Sequence, residues 1–459
     1  MYLKATLAVV AVAICGSLAQ AATADQASEE QMMAELKALK AEVAELRAAQ
    51  DESWMNQRRA EEVKTLVRDV LADADTRAAM LDSAITAGHD GENFFIGTEN
   101  GEFQLNLAGL FQFRHVSNFQ DDTSDDGQTG FELRRAKFQP HGHVTFGGRK
   151  IDFFLSLQND SVTSEPRIEE YYVTSEILPE SMPGLMVTAG RFRQPFSVQN
   201  LTDAAHQMAV ERSLVSEIFR VDRSEGVQVA WQTDMVKLTA SVNDGVVDGG
   251  ATFTGDGTDF ALTGRADVLL MGEWGQFADP GVAWSGEPTA LQVGAAFHYE
   301  VGETGTTALN NNFFMWTADA AFETNGFGIL LAGYGRHEND DEAAPAGTEY
   351  DDMGMLVEAG YMVIPDQLQP FVRYEAIFID DDRPITTGNE DTVQLLTFGA
   401  NWFLDKHNSK LSLDIVYGLD PISSSDLPTS ASLAGFGLNS DAAGEDGQVA
   451  VRAQYQLKW

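Results

Sequence analysis

Basic side chains are concentrated in two windows of a chain that is otherwise strongly acidic. The 459 residues include 70 Asp and Glu against 30 Lys and Arg, which gives a formal charge of −40. The window 131–150 holds five basic residues and one acid, and the window 189–224 holds five basic residues and four acids. A fixed cation in a narrow aqueous space is screened less than one in bulk water, so clustered arginines and lysines attract anions. The chemistry available to these residues is electrostatic selection.

Side chains suited to catalysis form no comparable groups. The eight histidines are scattered without metal-ligand spacing, and no Ser, His and Asp set converges. Cys15 is the only cysteine and lies in a segment predicted to be removed. The acidic run 121–127 lacks the bidentate Glu that a calcium loop requires. The sequence therefore predicts no enzyme, no cofactor and no metal site, and its negative charge argues against binding nucleic acid.

Residues 1–21 have the form of a secretory signal peptide. Lys4 supplies the positive charge, residues 5–14 form an apolar run, and Ala19-Gln20-Ala21 is a small-x-small cleavage site. No later run approaches the roughly 18 to 20 apolar residues that a membrane helix needs. If the mature chain lies in a membrane, it must do so as a β-barrel.

Residues 22–88 have a helical pattern and are predicted to form a coiled-coil stalk. Apolar residues follow the 4-3-4-3 spacing of a coiled-coil seam at Met32, Leu36, Leu39, Val43 and Leu46. A second apolar stripe runs from Val63 to Ile85, and Gly88 ends it. A helix that packs on its own domain is the alternative to self-association.

From residue 94 to the C-terminus the hydrophobic period is two, which is typical of β-strands with one apolar and one polar face. The pattern predicts about 16 antiparallel strands of a transmembrane barrel, covering residues 94–459. They begin near Phe103, Phe131, Ile151, Ile168, Leu185, Val227, Val236, Phe260, Leu291, Phe313, Phe327, Met353, Phe371, Thr392, Leu411 and Gln448. The last strand ends on Trp459, an aromatic signal of the kind that the bacterial barrel assembly machinery reads. A soluble sandwich or propeller would leave the signal peptide and this terminal strand unexplained.

The connections between strands are of two kinds, short turns and long polar loops. The long ones are predicted to face outward into solvent, and they cover residues 120–130, 244–259, 336–352, 380–391 and 419–447. The segment near 194–224 differs because it carries many apolar side chains, among them Met208, Leu214 and Phe219. Such a segment should fold inward and narrow the barrel, and a surface helix with salt-bridged arginines is the alternative.

This inward segment would place several cations in the lumen. The predicted constriction residues are Arg191, Arg193, Arg212, Arg220 and Arg223. In the first basic window, Ala136 and Phe138 share one face of a strand, so Arg135 and Lys137 should point the other way, into the lumen.

Three motifs resemble the phosphate-selective porin family (porins O and P): FELRRAKF at 131–138, GRFRQPFS at 190–197 and ERS at 211–213. The resemblance spans residues 97–459. It implies a 16-stranded outer-membrane barrel, usually trimeric, with an inward third loop and lumenal arginines and lysines that pass anions. The added helical N-terminus and the entry from Phe94 resemble the porin-like proteins of planctomycetes.

Two functions follow as expectations. The first is a porin in the bacterial outer membrane, a homotrimer that passes small hydrophilic solutes with a weak preference for anions such as phosphate. The second is an anchor, in which the stalk reaches through the periplasm to peptidoglycan. The expected partners are outer-membrane lipid, the barrel assembly machinery and small solutes.

Overall fold

The computed structural model describes residues 34–41, 85–91, 93–120, 127–159, 165–246, 258, 260–302, 311–340, 348–383, 391–424, 427–429, 432–440 and 447–459. The chain divides into two units, Met1–Asp82 and Ser83–Trp459. In the first unit residues 34–41 are helical, and Leu36 and Leu39 of the predicted seam are exposed. The predicted signal peptide and most of the predicted stalk lie outside the described residues.

Two short strands, β1 Ile85–His89 and β2 Phe94–Thr98, precede sixteen antiparallel strands that form a closed barrel, in which each strand pairs with the next and the last pairs with the first. This confirms the predicted barrel and its strand number. The strands are β3 Phe103–Phe119, β4 Gln128–Phe146, β5 Arg149–Asn159, β6 Pro166–Glu176, β7 Leu185–Arg193, β8 Arg223–Gln232, β9 Val236–Asn243, β10 Phe260–Met271, β11 Ala290–Val301, β12 Asn311–Thr324, β13 Phe327–Asp340, β14 Thr348–Tyr361, β15 Leu368–Phe378, β16 Thr392–Asp405, β17 Ser409–Gly418 and β18 Val449–Lys458.

Alternation along each strand separates an apolar outer face from a more polar inner face. In β17 Leu411 and Leu413 are about half exposed, whereas the alternate residues Ser412 and Asp414 are buried. Exposed apolar side chains suit a surface that meets lipid, and inward polar side chains suit a wet interior. In the part of the chain that the structure describes, the helices are all too short or too polar to cross a bilayer.

The C-terminal residue completes the closure of the barrel. Trp459 N donates to Gly109 O at 3.1 Å, and Gly109 N donates to Trp459 O at 2.8 Å. A Cβ at position 109 would lie 2.3 Å from the Trp459 ring, so only glycine fits beneath the indole. Trp459 thus joins the last strand to the first, where an open edge would leave backbone groups unpaired.

A β-hairpin precedes the barrel, and it shows that the helical stalk was predicted to extend too far toward the barrel. Strand β1, Ile85–His89, pairs with β2, Phe94–Thr98, and β2 pairs with the start of β3. The helical stripe was predicted to reach Ile85 and to end at Gly88, but residues 85–88 are in a strand. Backbone pairing with β2 overrides the local helical spacing, and an added Cβ at Gly88 would lie 3.1 Å from the Phe95 ring.

Among the described residues, those of three connections fold into the barrel: 194–222 between β7 and β8, 272–289 between β10 and β11, and the described part of 419–448 between β17 and β18. The last was predicted to lie outward in solvent, and this prediction is wrong for its described residues. Its apolar side chains Ile422, Leu433 and Phe436 are buried in the main apolar cluster of the interior. The loop is polar on average, but burial of its few apolar side chains determines where it packs.

Candidate functional site

The connection 194–222, here called the inward loop, lies against the inner wall of β12 to β15. Its short helix Leu214–Ile218 is capped by Ser213, whose hydroxyl accepts from Ser216 N. The Phe219 ring stacks on the Tyr334 ring at 5.9 Å, and both side chains are fully buried. A Cβ at Gly354 would lie 2.7 Å from Phe219, so the wall is shaped to admit the loop. Burial of this apolar face holds the loop inside the barrel.

Charged side chains of the wall also bond to the backbone of the inward loop. Arg265 Nη1 donates to Phe196 O at 2.7 Å, and Arg373 Nη1 donates to Glu211 O at 3.0 Å. In the opposite sense, Val210 N donates to Asp414 Oδ2 at 3.0 Å and Val215 N donates to Glu375 Oε2 at 3.1 Å. These buried charges on β10, β15 and β17 therefore position the loop. They are not free to meet a solute.

Three arginines of β3 and β4 converge on one carboxylate of the inward loop, Glu211. Arg114 Nη1 and Arg134 Nε lie 3.0 and 2.6 Å from Glu211 Oε1, and Arg135 Nη2 lies 2.7 Å from Oε2. Burial alone would raise the pKa of Glu211, but the guanidinium groups of Arg134, Arg135 and Arg114 hold it well below its ordinary value. Glu211 therefore stays ionised and ties the loop to β3 and β4.

Two β-bulges bring extra charge to this part of the lumen. In the β3–β4 register, Gln112 pairs with Arg135 and Phe113 pairs with Leu133, which leaves Arg134 as an inserted residue. A second register shift between β5 and β6 leaves Glu169 unpaired. A bulge lets two consecutive side chains share a face. Arg134 and Arg135 therefore both point inward, as do Glu169 and Glu170.

A second network joins β4, β6, β7 and β8 through the two glutamates. Lys137 Nζ lies 2.6 Å from Glu169 Oε2, and Arg223 Nη2 lies 3.1 Å from Glu169 Oε1. Glu170 Oε1 accepts from Arg223 Nε at 2.8 Å and from Arg193 Nε at 3.1 Å. Three cations share two carboxylates here, so this network contributes less to the field in the lumen than three unpaired cations would.

Arg212 differs from the other lumen cations in its partners. Its Nε and Nη2 donate to Gln199 O and Thr202 O, both at 2.8 Å, and no carboxylate of the described residues lies within ion-pair distance. Burial and the neighbouring guanidinium groups of Arg193 and Arg135 lower its pKa to about 9, which still leaves it charged at neutral pH. Arg220, by contrast, pairs with Glu217 and Asp222.

A cavity of about 350 Å³ lies between the inward loop, the wall of β4 to β6 and the 419–448 connection. Seven basic and five acidic side chains line it, in a protein whose acids outnumber its bases more than twofold. The basic residues are Arg134, Arg135, Lys137, Arg167, Arg212, Arg220 and Arg223, and the acidic ones are Glu132, Glu169, Glu211, Glu217 and Asp222. The local surplus of cations makes the cavity attractive to anions.

The structure places five of the seven predicted site residues on the cavity, but neither Arg191 nor Arg193 lines it. Arg193 is bound to Glu170 beside the cavity. Arg191 lies opposite Tyr171 and Glu225 in the strand register, and its Nη1 is 3.0 Å from Glu225 Oε2. Two positions along the same face, Val173 and Val227 are apolar and about half exposed. Arg191 is therefore on the outer face of the barrel.

Other site residues were missed from the sequence. Arg114 is one of them, and its place in the alternation Phe111, Gln112, Phe113, Arg114 puts it on the polar face of its strand, which is a usable signal. Arg134 and Glu169 reach the lumen through bulges, which a strict two-residue period cannot reveal. Glu211 is one of the four acids in the window 189–224, and nothing in its sequence position shows that three arginines converge on it.

A histidine cluster connects the inward loop to the 272–289 connection. His407 Nε2 lies 2.8 Å from Asp279 Oδ2, and the His206 and His407 rings are 4.7 Å apart. Lys458 Nζ lies 3.2 Å from His206 Nε2, and Lys410 Nζ lies 3.5 Å from His407 Nδ1. Burial, with the neighbouring Lys458 and Lys410, lowers the pKa of both imidazoles, which favours their neutral forms. Within the described residues, no group of His, Cys, Asp and Glu could hold a metal ion.

The fold is similar to those of several solved outer-membrane proteins. An anion-selective porin from Comamonas acidovorans is 14% identical, with 78% of this chain and 100% of that chain covered and a TM-score of 0.53. OmpT of Vibrio cholerae is 10% identical, with 78% and 98% covered and a TM-score of 0.52. DcaP of Acinetobacter baumannii is 14% identical, with 79% and 99% covered and a TM-score of 0.50. At these identities the similarity shows the fold alone.

No curated protein matches the chain significantly. The family described as phosphate-selective porin O and P matches residues 110–418, which is more than half of the chain. The protein therefore belongs to the phosphate-selective porin O and P family, whose members are outer-membrane channels and not enzymes.

Proposed function

We propose that this porin forms a water-filled diffusion channel for small hydrophilic solutes and that it weakly prefers anions. The single observation that carries the preference is the charge of the cavity beside the inward loop, where seven basic side chains face five acidic ones. Arg212 adds to this surplus because it has no carboxylate partner among the described residues. The preference is weak because Lys137, Arg223 and Arg220 are each paired with acids.

Reversal potential in a salt gradient tests the proposal. We expect the native channel to prefer chloride over potassium, and we expect a variant with Arg212, Arg220 and Arg223 changed to Ala to shift toward potassium. The matched control is Arg149→Ala, since Arg149 is exposed at the turn between β4 and β5, away from the cavity. A native channel that prefers potassium would overturn the proposal, and so would a triple variant that behaves like the control.

We further propose that the protein is a homotrimer in the outer membrane and that residues 22–84 extend it into the periplasm as an assembly or anchoring segment. The supporting observation is the helix at 34–41, which exposes Leu36 and Leu39, three residues apart. Leucines at this spacing suit a partner helix. Binding of this segment to peptidoglycan is the form that the anchor function would take.

A further inference from the structure

A row of three aromatic rings crosses β4, β5 and β6 on one level of the barrel wall. His141 is directly opposite Phe154, and Phe154 is directly opposite Tyr172. The Phe154 and Tyr172 rings stack with centroids 5.1 Å apart and an interplanar angle of 18°, and the His141 ring is 6.3 Å from the Phe154 ring. The three side chains thus form one continuous surface.

Alternation in β5 shows that this surface faces the lumen. Ser156, two residues after Phe154, donates to Glu169 Oε2 at 3.0 Å, and Gln158 lines the charged cavity. Phe153 lies on the other face, opposite Val173, which is about half exposed on the lipid side. Phe154 therefore points inward with Ser156 and Gln158.

The rings are not covered by the apolar packing that fills the rest of the interior. On the far wall, Met315, Tyr334 and Leu356 are almost completely buried beneath the inward loop. His141, Phe154 and Tyr172 stay partly exposed, and neither Phe154 nor Tyr172 belongs to a buried apolar cluster of the described residues. An aromatic surface that faces an aqueous lumen is available to a solute.

The surroundings of the row are polar. Asn106 lies opposite His141 on β3 and accepts from Gln104 Nε2 at 2.7 Å. One level further on, the Thr174 and Thr188 hydroxyls are 2.8 Å apart. On the other side of Tyr172 the row continues with Gly190, which has no side chain. Neutral hydrogen-bonding groups therefore border the rings on these sides. The nearest acid on this face of β5, Asp152 opposite Thr174, is paired with Lys150 at 3.0 Å.

The row is close to the cations of the cavity. Phe154 is two residues from Ser156, which bonds to Glu169, the partner of Lys137. At about 3.3 Å per residue, Phe154 and Ser156 are roughly 7 Å apart along β5. Beyond this step, Ser156 Oγ and Lys137 Nζ lie 3.0 and 2.6 Å from the same oxygen, Glu169 Oε2, so a ring compound whose anionic group is attached through a short chain has the reach required. One solute could therefore contact the cations and the rings together.

We propose that the aromatic row is a binding site for ring-bearing organic anions, in which a phosphate or carboxylate meets the cationic cavity while a ring lies on Phe154 and Tyr172. This inference rests on the proposed anion preference and names the solute class. The stacked ring could be an aryl group or the apolar face of a sugar, since both present a flat surface to an aromatic side chain. The bordering Asn106 and His141 would then bond to ring hydroxyls.

The test is block of the native single-channel chloride current by matched pairs of phosphates. Phenyl phosphate is compared with hexyl phosphate, and glucose 6-phosphate with sorbitol 6-phosphate, so that charge and carbon number stay constant while the ring is removed. We expect the cyclic member of at least one pair to half-block at a concentration about threefold to tenfold lower than the acyclic member. The pair that discriminates identifies the ring as aryl or sugar.

Substitutions in the aromatic row test whether its rings cause the difference in block between cyclic and acyclic phosphates. A Phe154→Leu, Tyr172→Leu double variant should lose most of the ratio, whereas Tyr172→Phe, which keeps the ring, and Phe153→Leu, which changes the lipid-facing neighbour, should retain it. Equal block by cyclic and acyclic members in the native channel would overturn the inference, as would a ratio that survives in the double variant. Because the native reversal potential is measured separately, either result leaves the anion preference to its own test.

Discussion

The substitution Glu211→Gln tests whether the charge of Glu211 contributes to the electric field in the lumen. The substitution keeps the size and one acceptor oxygen but removes the negative charge on which Arg114, Arg134 and Arg135 converge. The cavity would then have seven basic and four acidic side chains, so the anion preference should increase. This direction is opposite to that of the arginine variants.

The size of the effect follows from Coulomb's law. One unit charge about 6 Å from a passing ion contributes about 0.7 kcal/mol at the dielectric constant of water, which is about a threefold change in occupancy. The anion gains and the cation loses, so their permeability ratio should change by about threefold to tenfold. Salt screens the effect, because the Debye length falls from about 10 Å at 0.1 M to about 3 Å at 1 M.

The assay is reversal potential at both salt concentrations, with Glu180→Gln as the control because Glu180 is exposed in the turn between β6 and β7. The arginines hold the pKa of Glu211 well below its ordinary value, so the carboxylate is ionised above that value and the difference between the channels should be constant from pH 5 to 8. A shift toward cations, or no shift in dilute salt, would refute the assignment of Glu211 to the lumen field.

Three further predictions concern assembly and pH. Deleting Trp459, or changing Gly109 to Val beneath its ring, should lower the amount of barrel in the outer-membrane fraction far more than it alters conductance; normal membrane levels would argue against the closing role of this residue. Deleting residues 25–84 while keeping the β1–β2 hairpin should weaken the oligomer or its retention in the envelope, as measured by crosslinking and fractionation, and an unchanged pattern in both would exclude an assembly or anchoring role. Burial, Lys410 and His206 hold the pKa of His407 well below its ordinary value, so His407 takes up a proton only on unfolding and stability falls as the pH drops below about 6.5. That loss reaches at most about 2 kcal/mol at pH 5, and His407→Gln should flatten the fall in melting temperature in detergent; an equally steep fall would contradict the buried neutral imidazole.

Strand number and face were predictable because both follow from a period of two that lipid enforces on every strand. The same rule placed Arg135 and Lys137 on the inner wall, where the structure has them buried beside Glu211 and Glu169. The rule failed at Arg134, because a β-bulge changes which residues face inward and no residue type in the sequence indicates the bulge.

Tertiary contacts explain the other differences between the predicted and the observed structure. Ile85 follows the apolar spacing of a helix, yet its backbone pairs with Thr98 of β2. Arg191 belongs to a cluster of arginines in sequence, but the strand face it occupies points outward. The 419–448 connection is polar on average, and only its contacts with the inward loop show that Ile422 and Phe436 belong inside. Such contacts join residues far apart along the chain, so a local pattern carries no information about them.

The anchoring of the inward loop also constrains the order in which the chain can fold. Its backbone bonds to Arg373 and Asp414 join residues 162 and 204 positions apart. Its carboxylate, Glu211, also bonds to Arg114 on the first barrel strand. Contacts of such long sequence separation form late, because closing the intervening chain costs entropy before any contact compensates for it. The full set of bonds therefore requires β15 and β17 to have joined the strands before the loop, so we expect the loop to reach its native place late in the assembly of the barrel.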